Sequence, residues 1–507
     1  MTRHIVLTGF MGAGKSNSAT RIASALGRRA VDVDLELERY FEKPIADVFE
    51  QDGEAVFRER EQSVVLEELA GEQASVIALG GGALGSDAVK SALRDHVCVY
   101  LEVEPEMAWR RVRGGARPLA QKRDEFFALY EQRQPIYEDT ATAIVPSGYS
   151  GNIMSAVPVI SQLLERPPGC KMLWGFDRRK GYPVVIEPGI LKAEDLWTVE
   201  GDFTTVTDEN VARLYQWLSG GLSVPPGEQS KTLEQLGQLC VSLAERGVSR
   251  DDSIVAVGGG VIGDLAGFAA AVYQRGIPVV QVPTTLLAQV DSAYGGKTAV
   301  DLPIAKNYVG AYHQPASVLV DTESLEQLPP EDLASGYAEV IKTGLIAGGR
   351  LWERVAAGVN LDEPFDPWIV QHCAKTKLAV VAADERDDGV RQTLNLGHTI
   401  GHAIESATDY KLLRHGEAVG IGMLGALALS GKDQLRQQVA ELLQAAGLPI
   451  EVPGLDVDAV VDRVRFDKKR SGGVVPFVLV KSPGKVTHGH EVAQEDVRSA
   501  IEELVAK

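Results

Sequence analysis

The chain has 507 residues, of which 45% are hydrophobic and 24% charged, a composition that excludes extended disorder and predicts about three domains. Its formal net charge of -19 argues against nucleic acid as a partner. The four cysteines, Cys98, Cys170, Cys240 and Cys373, lie far apart without a CxxC pair, so we expect no zinc-thiolate site, no disulfide framework and a cytoplasmic location.

The apolar run at the N-terminus is interrupted by Lys15 and has no small-residue cleavage site, so it lacks the pattern of a signal peptide. The longest apolar segment, AVGIGMLGALALSG from Ala418, lies between Glu417 and Lys432 and is too short to span a hydrocarbon core about 30 Å thick. We therefore predict a buried core helix here and no membrane partner.

The stretch IVLTGFMGAGKS predicts a short strand, a glycine-rich loop and a helix over Asn17 to Leu26. Its pattern, Gly9-x4-Gly14-Lys15-Ser16, is typical of a phosphate-binding loop. Glycines let backbone N–H groups turn toward phosphate oxygens, the lysine neutralises the β and γ phosphates, and the serine hydroxyl reaches Mg²⁺. The predicted ATP contacts in the loop are Gly12, Ala13, Gly14, Lys15 and Ser16.

Later motifs supply residues for a phosphoryl acceptor. VDVDLELE places two carboxylates on alternate positions at the end of a strand, so their side chains point the same way. FREREQ supplies an arginine on a helix, GGG a corner without side chains, and RGGARPL and EQRQP one arginine each. A carboxylate for hydroxyl groups, arginines for a bidentate anion contact and a glycine corner for close approach indicate a polyol carboxylate site. The residues are Asp32, Asp34, Arg58, Gly80, Gly81, Gly82, Arg117 and Arg133.

This ordered set resembles shikimate kinase over residues 1 to about 166. The resemblance implies shikimate binding by Asp34, Arg58, Gly80, Gly81, Gly82 and Arg133, a lid over ATP that contains Arg117, a Mg²⁺ site at Ser16 and Asp32, and catalytic roles for Lys15 and Asp34. Asn17 departs from the family, which usually has a small residue there, and we expect no loss of chemistry. A nucleotide or gluconate kinase would share the loop but not the later motifs, and a non-catalytic nucleotide-binding regulatory module is the alternative from another class.

Two prolines and a glycine in LLERPPGCKMLWG predict an interdomain linker over residues 167–179. Further on, a strand from Ile254 to Val257 leads into Gly258-x-Gly260-x-x-Gly263 and a helix of small residues, the form of a dinucleotide pyrophosphate site. The next strand, IPVVQVP, ends without an acidic residue for the ribose. Either NAD is not bound here or its ribose is held from elsewhere in the chain.

The motifs around this loop favour NAD. VTDENV, PPGEQSKT, VPTTLLAQVDSAYGGKTAVDLPIAKN, GYAEVIKTG, NLGHTIGHAIE, RHGEAV and DKKRSGG, in this order, closely resemble 3-dehydroquinate synthase over about residues 180 to 500. One departure is Ala293, which replaces a serine in DSAYGGK, while Asp291 and Lys297 are intact. The resemblance implies NAD contacts at Asp208, Glu228, Lys231, Gly259, Gly260, Val261, Asp264, Thr284, Thr285, Lys297 and Lys306.

A metal site is indicated by two histidines, His398 and His402, which lie four residues apart and so share one face of a predicted helix. Spacing alone would make both of them ligands, yet His415 and Glu339 lie in neighbouring motifs and also need a role. The resemblance implies that Glu339, His398 and His415 bind Zn²⁺ or Co²⁺ and that His402 lies beside the substrate. Carboxylate and imidazole ligands suit either metal.

A substrate with a phosphate and a carboxylate needs basic partners in an acidic protein. The predicted substrate contacts are Arg275, Asp291, Lys306, Asn307, Lys342, Lys377, Arg391, Asn395, His402 and Lys468, with Lys469 as the alternative to Lys468. Catalytic roles are predicted for Lys297, Lys342, Lys377, Arg391 and His402.

The resemblance implies cyclisation of 3-deoxy-D-arabino-heptulosonate 7-phosphate to 3-dehydroquinate with release of phosphate, and NAD as a cofactor that is not consumed. A different sugar-phosphate cyclase or a glycerol-dehydrogenase-like oxidoreductase is the alternative for the second half.

We therefore predict an α/β protein of three domains: a P-loop kinase domain with a parallel sheet over residues 1–166, a Rossmann-like NAD-binding α/β domain over 180–325, and a mainly helical metal- and substrate-binding domain over 326–507. The expected partners are small-molecule substrates and a second copy of the chain, as a homodimer through the synthase half.

Overall fold

The computed structural model describes residues 2–114, 122–148, 152–176, 181–358, 360–361, 365–470 and 475–506, with backbone alone at 152 and 465–470. The chain forms two compact units. Unit 1 comprises Met1–Trp174 and Gly181–Val185, and unit 2 comprises Gly175–Lys180 and Ile186–Lys507.

Unit 1 is built on a mainly parallel sheet of β1 (Ile5–Thr8), β2 (Arg29–Asp32), β3 (Ser75–Ala78), β4 (Val97–Glu102), β5 (Ala143–Pro146), β6 (Lys171–Phe176) and β7 (Gly181–Ile186). Within the unit the strands follow the order β2-β3-β1-β4-β5-β6-β7. Every residue of β1 and β3 is buried, as expected for strands covered on both faces. Because β3 and β4 lie on opposite sides of β1, the carboxyl end of β1 opens on a crevice suited to a ligand.

The helices of unit 1 follow the strands in a P-loop kinase arrangement. They are α1 (Lys15–Leu26), α2 (Val33–Phe41), α3 (Ile45–Gln51), α4 (Glu54–Leu69), α5 (Asp87–Ala92), α6 (Pro105–Val112), α7 (Arg123–Thr140) and α8 (Asn152–Gln162). The strand, loop and helix predicted at the phosphate-binding loop are present as β1, its loop and α1.

The segment predicted to be a linker, 167–179, contains strand β6. Its sequence KMLWGF buries Met172 and Leu173, which pair in parallel register with Ala143 and Ile144, respectively, at the edge of β5. An apolar stretch that can complete the edge of a sheet is stabilised there by ladder hydrogen bonds and burial. Proline and glycine at 167–169 therefore mark only the turn that precedes the strand.

Unit 2 begins with an α/β domain. Its parallel sheet contains β8 (Phe203–Asp208), β9 (Leu222–Val224), β10 (Ser253–Gly258), β11 (Val279–Pro283) and β14 (Ser317–Val320), in the order β9-β8-β10-β11-β14. A separate antiparallel pair is formed by β12 (Lys297–Leu302) and β13 (Ala305–Tyr312). Helices α9 (Glu209–Leu214), α10 (Leu233–Glu245) and α11 (Gly260–Val272) complete the domain. The chain order reverses between β8 and β10, so their carboxyl ends face a common crevice.

A mainly helical domain follows. It contains α12 (Pro330–Ala347), α13 (Gly349–Ala356), α14 (Pro367–Ala383), α15 (His398–Ala407), α16 (His415–Leu429), α17 (Asp433–Ala445), α18 (Val457–Arg470) and α19 (Gln494–Glu502), with the antiparallel pair β15 (Phe477–Ser482) and β16 (Lys485–His490).

The apolar segment predicted as a core helix is α16, in which every residue from Gly416 to Leu427 except Glu417 is buried. A helix that is apolar on all sides must be surrounded by other elements, and α12, α15 and α17 pack against it. In the described part of the chain, no helix is long and apolar enough to cross a membrane.

Candidate active sites

The loop after β1 in unit 1 has the geometry of a phosphate cradle. Gly14 caps the N-terminus of α1 in the left-handed region with φ 87°, and a Cβ atom at Gly12 would lie 2.9 Å from the carbonyl oxygen of Ala108. Glycine is therefore required at both positions. The Nζ atom of Lys15 donates a hydrogen bond to the carbonyl of Gly9 at 2.8 Å, which folds the lysine back over the loop. Ser16 is exposed in the first turn of α1, where helix N–H groups attract an anion.

A cavity of about 630 Å³ in unit 1 includes Arg58, Gly81, Gly82 and Arg133 among its lining residues. The Nη1 atom of Arg133 donates to the carbonyl of Gly81 at 2.9 Å, and the hydroxyl of Tyr137 donates to the same carbonyl at 2.6 Å. Two arginines thus face one cavity from α4 and α7, as a carboxylate ligand would need.

Glu61 lines this cavity, and Asp34 and Gly80 lie next to Glu61. A Cβ atom at Gly80 would lie 2.4 Å from Oε1 of Glu61 and 2.8 Å from Oδ1 of Asp34, and one at Gly82 would lie 2.3 Å from Nη1 of Arg58. The absence of side chains at Gly80 and Gly82 therefore allows the charged groups of Asp34, Arg58 and Glu61 to lie close to this corner. Burial raises the pKa of Glu61, the nearby Asp34 carboxylate raises it further, and Arg58, 2.6 Å away, opposes both.

The expectation that Asp32 and Asp34 occupy alternate strand positions is wrong. Strand β2 ends at Asp32, whose carboxylate accepts a hydrogen bond from the backbone N–H of Asp34 at 3.0 Å and so caps α2. Asp34 lies in the first turn of that helix because an aspartate two residues earlier is a favoured N-cap. Arg117, predicted in the lid, lies outside the described residues.

Unit 2 contains a larger cavity of about 1200 Å³ between its α/β and helical domains. Most predicted residues of the synthase site line it: Asp208, Glu228, Lys231, Gly259, Gly260, Val261, Asp264, Thr284, Thr285, Asp291, Lys297, Lys306, Asn307, His398, His402 and His415. The structure thus brings the predicted nucleotide, metal and substrate residues to one space.

The dinucleotide end of this cavity combines glycine backbone with a buried lysine. A Cβ atom at Gly259 would lie 3.0 Å from Cγ2 of Thr285, so the loop packs closely against the end of β11. Lys231 is 4% exposed, and its Nζ atom lies 2.5 Å from a carboxylate oxygen of Asp264. Asp208, at the end of β8, also lines the cavity, and one of its carboxylate oxygens caps α9.

Three ligand atoms of Glu339, His398 and His415 lie within 4.8 Å of one another, close enough to share a metal ion. The Nε2 atoms of His398 and His415 face the same carboxylate oxygen of Glu339, at 3.7 and 3.6 Å. The Nδ1 atom of His398 lies 3.2 Å from the carbonyl of Leu396, a hydrogen bond that leaves the Nε2 lone pair free for a metal. The donor set fits Zn²⁺ or Co²⁺.

The second histidine of the predicted helical pair, His402, lies beside this trio and not within it. Its ring centroid is 5.2 Å from that of His398, and its side chain is exposed on the cavity wall. A second trio of His402, Glu405 and His415 also has ligand atoms within 4.8 Å of one another. Glu405 could have been identified from the sequence, because it lies seven residues after His398 and therefore on the same face of the helix.

Burial lowers the pKa of His398 to about 3, so its ring is neutral and ready to bind a metal. Burial acts in the same direction on His415, but the carboxylates of Glu339 and Glu405 outweigh it and raise the pKa to about 9. Glu339 itself is held as a carboxylate: burial would raise its pKa, yet Lys342 and the two histidines lower it well below its usual value.

Asp291, which lines the cavity, lies between two buried lysines. It belongs to a π-helical turn, Ala288–Ser292, a feature that often marks functional sites. One carboxylate oxygen lies 2.9 Å from Nζ of Lys377 and 3.6 Å from Nζ of Lys342. Burial opposes ionisation of Asp291, but the two lysines prevail and lower its pKa to about 2.

Six further predicted residues in the described part of the chain do not line this cavity. Arg391 is 2% exposed and donates to the carbonyls of Glu385 and Gly295, at 2.7 and 3.0 Å. Arg275 and Asn395 are exposed elsewhere in unit 2, Glu339, Lys342 and Lys377 lie just behind the wall, and the side chain of Lys468 lies outside the described residues.

Sequence reasoning also missed Glu61 and Tyr137. Glu61 follows Arg58 by three residues and Tyr137 follows Arg133 by four, so helical periodicity would have placed each beside a predicted arginine.

The fold and the two sites define a P-loop kinase joined to a Rossmann-type α/β domain with a helical, metal-binding partner domain. The family models give the same order. Residues 11–163 match shikimate kinase, residues 221–335 match 3-dehydroquinate synthase N-terminal, and residues 336–470 match 3-dehydroquinate synthase C-terminal.

The chain belongs to the 3-dehydroquinate synthase family and carries a shikimate kinase domain before it, so it is an enzyme with a kinase and a lyase activity. It is 45% identical over 331 residues to the 3-dehydroquinate synthase of Methylococcus capsulatus, with 61% of this chain and 92% of that protein covered. The enzyme of Acidithiobacillus ferrooxidans is 41% identical over 347 residues, with 64% and 95% covered. The predicted fusion is therefore confirmed.

Solved structures of other cyclases share the fold of the synthase part. A 2-deoxy-scyllo-inosose synthase, solved with carbaglucose-6-phosphate, NAD⁺ and Co²⁺, has a TM-score of 0.59 and 27% identity, with 66% of this chain and all of that chain covered. A 2-epi-5-epi-valiolone synthase from Streptomyces hygroscopicus, solved with NAD⁺ and Zn²⁺, has a TM-score of 0.60 at 24% identity, with 64% and 97% covered, which shows the fold alone. The higher identity to dehydroquinate synthases favours that activity over the alternative cyclisations.

Proposed function

We propose that unit 1 transfers a phosphoryl group from ATP to shikimate, giving shikimate 3-phosphate, and that unit 2 converts 3-deoxy-D-arabino-heptulosonate 7-phosphate to 3-dehydroquinate and phosphate. We further propose that NAD, Zn²⁺ or Co²⁺, and Mg²⁺ with ATP are the cofactors. The support is that each half combines a phosphate- or dinucleotide-binding loop with a second set of charged side chains suited to the corresponding substrate.

In unit 1 the acceptor would lie in the cavity lined by Arg58 and Arg133, which form charge-assisted hydrogen bonds with its carboxylate. Asp34 would accept the proton of the attacking hydroxyl, and the neighbouring Glu61 has a pKa raised first by its burial and to a smaller extent by the Asp34 carboxylate. Lys15 and the N-terminus of α1 would stabilise the charge on the transferred phosphoryl group, with Ser16 and Asp32 near Mg²⁺.

In unit 2 Glu339, His398 and His415 would hold the metal ion. A bound Zn²⁺ or Co²⁺ supplies Lewis acidity to an alcohol or carbonyl, and NAD supplies reversible hydride transfer. The glycine loop at Gly259, Lys231 and Asp208 would bind the dinucleotide, because they line one end of the cavity. Lys342 and Lys377 would hold the anionic groups of the substrate, and His402 would move a proton beside it.

The observation that carries the synthase proposal is the cluster of Glu339, His398 and His415, whose two histidines line the cavity that also contains the glycine loop. The experiment is incubation of the full chain with the heptulosonate phosphate, NAD⁺ and Zn²⁺, followed by assays for phosphate and dehydroquinate, with His398→Ala as the comparison. We expect wild-type turnover and a loss of at least 100-fold in the variant. Wild-type protein that releases no phosphate would remove the cyclase assignment.

A parallel assay with ATP and shikimate tests unit 1, with Lys15→Met as the comparison. Phosphorylation of shikimate by wild type but not by the variant is expected. ATP binding without phosphorylation would instead support the regulatory-module alternative.

We also propose a homodimer formed through the synthase half and a cytoplasmic location. Sedimentation equilibrium on the full chain and on a chain that begins after residue 179 would test the proposed homodimer. The four cysteines are free thiols, which suits a reducing compartment.

A further inference from the structure

We infer that Glu405 is a positioning residue, which orients the metal ligand His415 and links it to Lys306 on the α/β domain. The inference rests on the proposed metal site at Glu339, His398 and His415 and assigns a function to a residue beside it. Glu405 lies in α15, 2% exposed, between two cationic side chains.

The imidazole of His415 lies between two carboxylates. Its Nε2 atom faces Oε1 of Glu339 at 3.6 Å, and its Nδ1 atom faces Oε2 of Glu405 at 3.6 Å. A histidine that binds a metal through one nitrogen needs a hydrogen-bond acceptor at the other, because that acceptor fixes the tautomer and the direction of the lone pair. For His398 the acceptor is the carbonyl of Leu396. For His415 the matching acceptor is Glu405.

The environment of Glu405 points to the same role. Its Oε2 atom is buried and makes no hydrogen bond within the described part of the chain. A buried carboxylate oxygen without a donor is costly, so a small rotation of the His415 ring that closes the gap at 3.6 Å is favoured. A metal on the Nε2 side requires this orientation, with the Nδ1 proton directed at Glu405.

The other oxygen of Glu405 connects the metal site to the α/β domain. Its Oε1 atom lies 3.3 Å from Nζ of Lys306, which comes from β13 and also lies 4.5 Å from the ring centre of Tyr410. Lys306 is a predicted NAD and substrate contact and lines the cavity. Loading the metal therefore fixes His415 and Glu405 and, through them, Lys306. Glu405 acts in this scheme through its neighbours and touches neither substrate nor metal.

The test is Glu405→Gln in the full chain, with Zn²⁺ affinity measured by competition with a chromogenic chelator and without substrate. We expect affinity to fall 10- to 100-fold, the usual effect of losing a partner behind a metal-binding histidine. The absorption bands of the Co²⁺-loaded protein should also shift, because the His415 ring turns. In activity assays the KM for NAD⁺ should rise, since Lys306 loses its anchor.

The matched control is Glu228→Gln. Glu228 also forms an ion pair with Lys306, at 4.0 Å from its Nζ atom against 3.3 Å for Glu405, but Glu405 is the carboxylate that faces Nδ1 of His415. This variant should keep Zn²⁺ affinity within threefold of wild type and leave the Co²⁺ spectrum unchanged. If Glu405→Gln does not fold, judged by circular dichroism, Glu405→Asp provides the same comparison and should restore part of the affinity.

Three results would overturn the inference. Normal Zn²⁺ affinity and a normal Co²⁺ spectrum in Glu405→Gln, with metal lost in Glu339→Gln, would reject the role of Glu405 and keep the proposed metal site. Loss of metal in His402→Ala as large as in Glu405→Gln would place the ion on the second trio, with Glu405 as a ligand. Wild-type protein that binds no metal would remove the proposed site and the inference together.

Discussion

Lys342 lies one helical turn after Glu339 on α12, and its Nζ atom is 2.5 Å from Oε2 of that glutamate, with each side chain 1% exposed. The lysine thus occupies one carboxylate oxygen of Glu339, and Oε1 is left facing His398 and His415. The ion pair keeps the glutamate charged and turned toward the metal side before any metal is bound.

The first prediction follows from this ion pair. Lys342→Met leaves a buried carboxylate without its nearest cation, a change that costs about 3–5 kcal/mol in buried pairs. In metal-free protein, the calorimetric transition temperature of the synthase part should be lower in this variant than in wild type by roughly 5–10 °C. In Zn²⁺-loaded protein the fall should be smaller, because the ion compensates Glu339. The control is Lys192→Met, whose pair with Glu323 is exposed. Equal shifts in the two variants would contradict the prediction.

The second prediction separates the histidines of the cavity. His398→Ala and His415→Ala should each lose bound metal, because each removes one ligand of a three-ligand site. His402→Ala should retain metal near one equivalent and lose rate by about 100-fold, the usual effect of removing a general acid or base. Metal content is read by mass spectrometry of dialysed protein. Comparable metal loss in all three variants would show that the helical pair binds the ion.

The third prediction concerns protons released when metal binds. In metal-free protein the pKa of His415 is raised to about 9, so its ring is protonated at neutral pH, whereas that of His398 is lowered to about 3 and its ring is neutral. Zn²⁺ requires a neutral ring, so binding at pH 7 should release about one proton. Apparent affinity should rise about tenfold per pH unit and level off above pH 9. A pH indicator in weak buffer measures the release, and its absence would refute the assignment.

The fourth prediction tests the glycine corner of unit 1. Gly80→Ala places a methyl group 2.4 Å from Oε1 of Glu61 and 2.8 Å from Oδ1 of Asp34, so both carboxylates must move. Phosphorylation of shikimate should fall by about 10- to 100-fold, because small misplacement of reacting groups is costly. The control Gly85→Ala lines the same cavity, meets no atom within 4 Å and should stay within twofold. Synthase activity of the same samples reports folding, and similar kinase loss in both variants would contradict the prediction.

The sequence was sufficient to predict the local structures that contiguous residues form. The phosphate-binding loop and the glycine loop before α11 are local structures, in which a strand, glycines and a helix follow one another along the chain. The core position of α16 also follows from its sequence, because a helix apolar on every face has no side to present to water.

Prediction failed where one local interaction competed with another. Asp32 and Asp34 were both expected at the end of a strand, but β2 ends at Asp32, whose carboxylate caps α2, and Asp34 lies in that helix. Arg391 does not line the cavity, because its guanidinium is held by two backbone carbonyls, and its contact with the substrate stays a prediction. Spacing along the chain does not show which acceptor an arginine will reach.

The pairing of Glu405 with both His415 and Lys306 joins three separate elements, and only the folded chain brings them together. The glutamate lies within a motif that the sequence singles out, but its two partners follow from tertiary packing. Side chains that act through others are therefore the hardest part of such a site to predict.

The position of Glu339 and Lys342 on one helix has a geometric consequence. One turn of α12 sets their separation along the axis at about 5 Å, so a metal ion held by Glu339 and the buried ammonium group of Lys342 would keep a fixed spacing. The dinucleotide loop belongs to the other domain of unit 2. A motion between these two domains would therefore move the glycine loop relative to Glu339 and Lys342 without changing the spacing of those two residues.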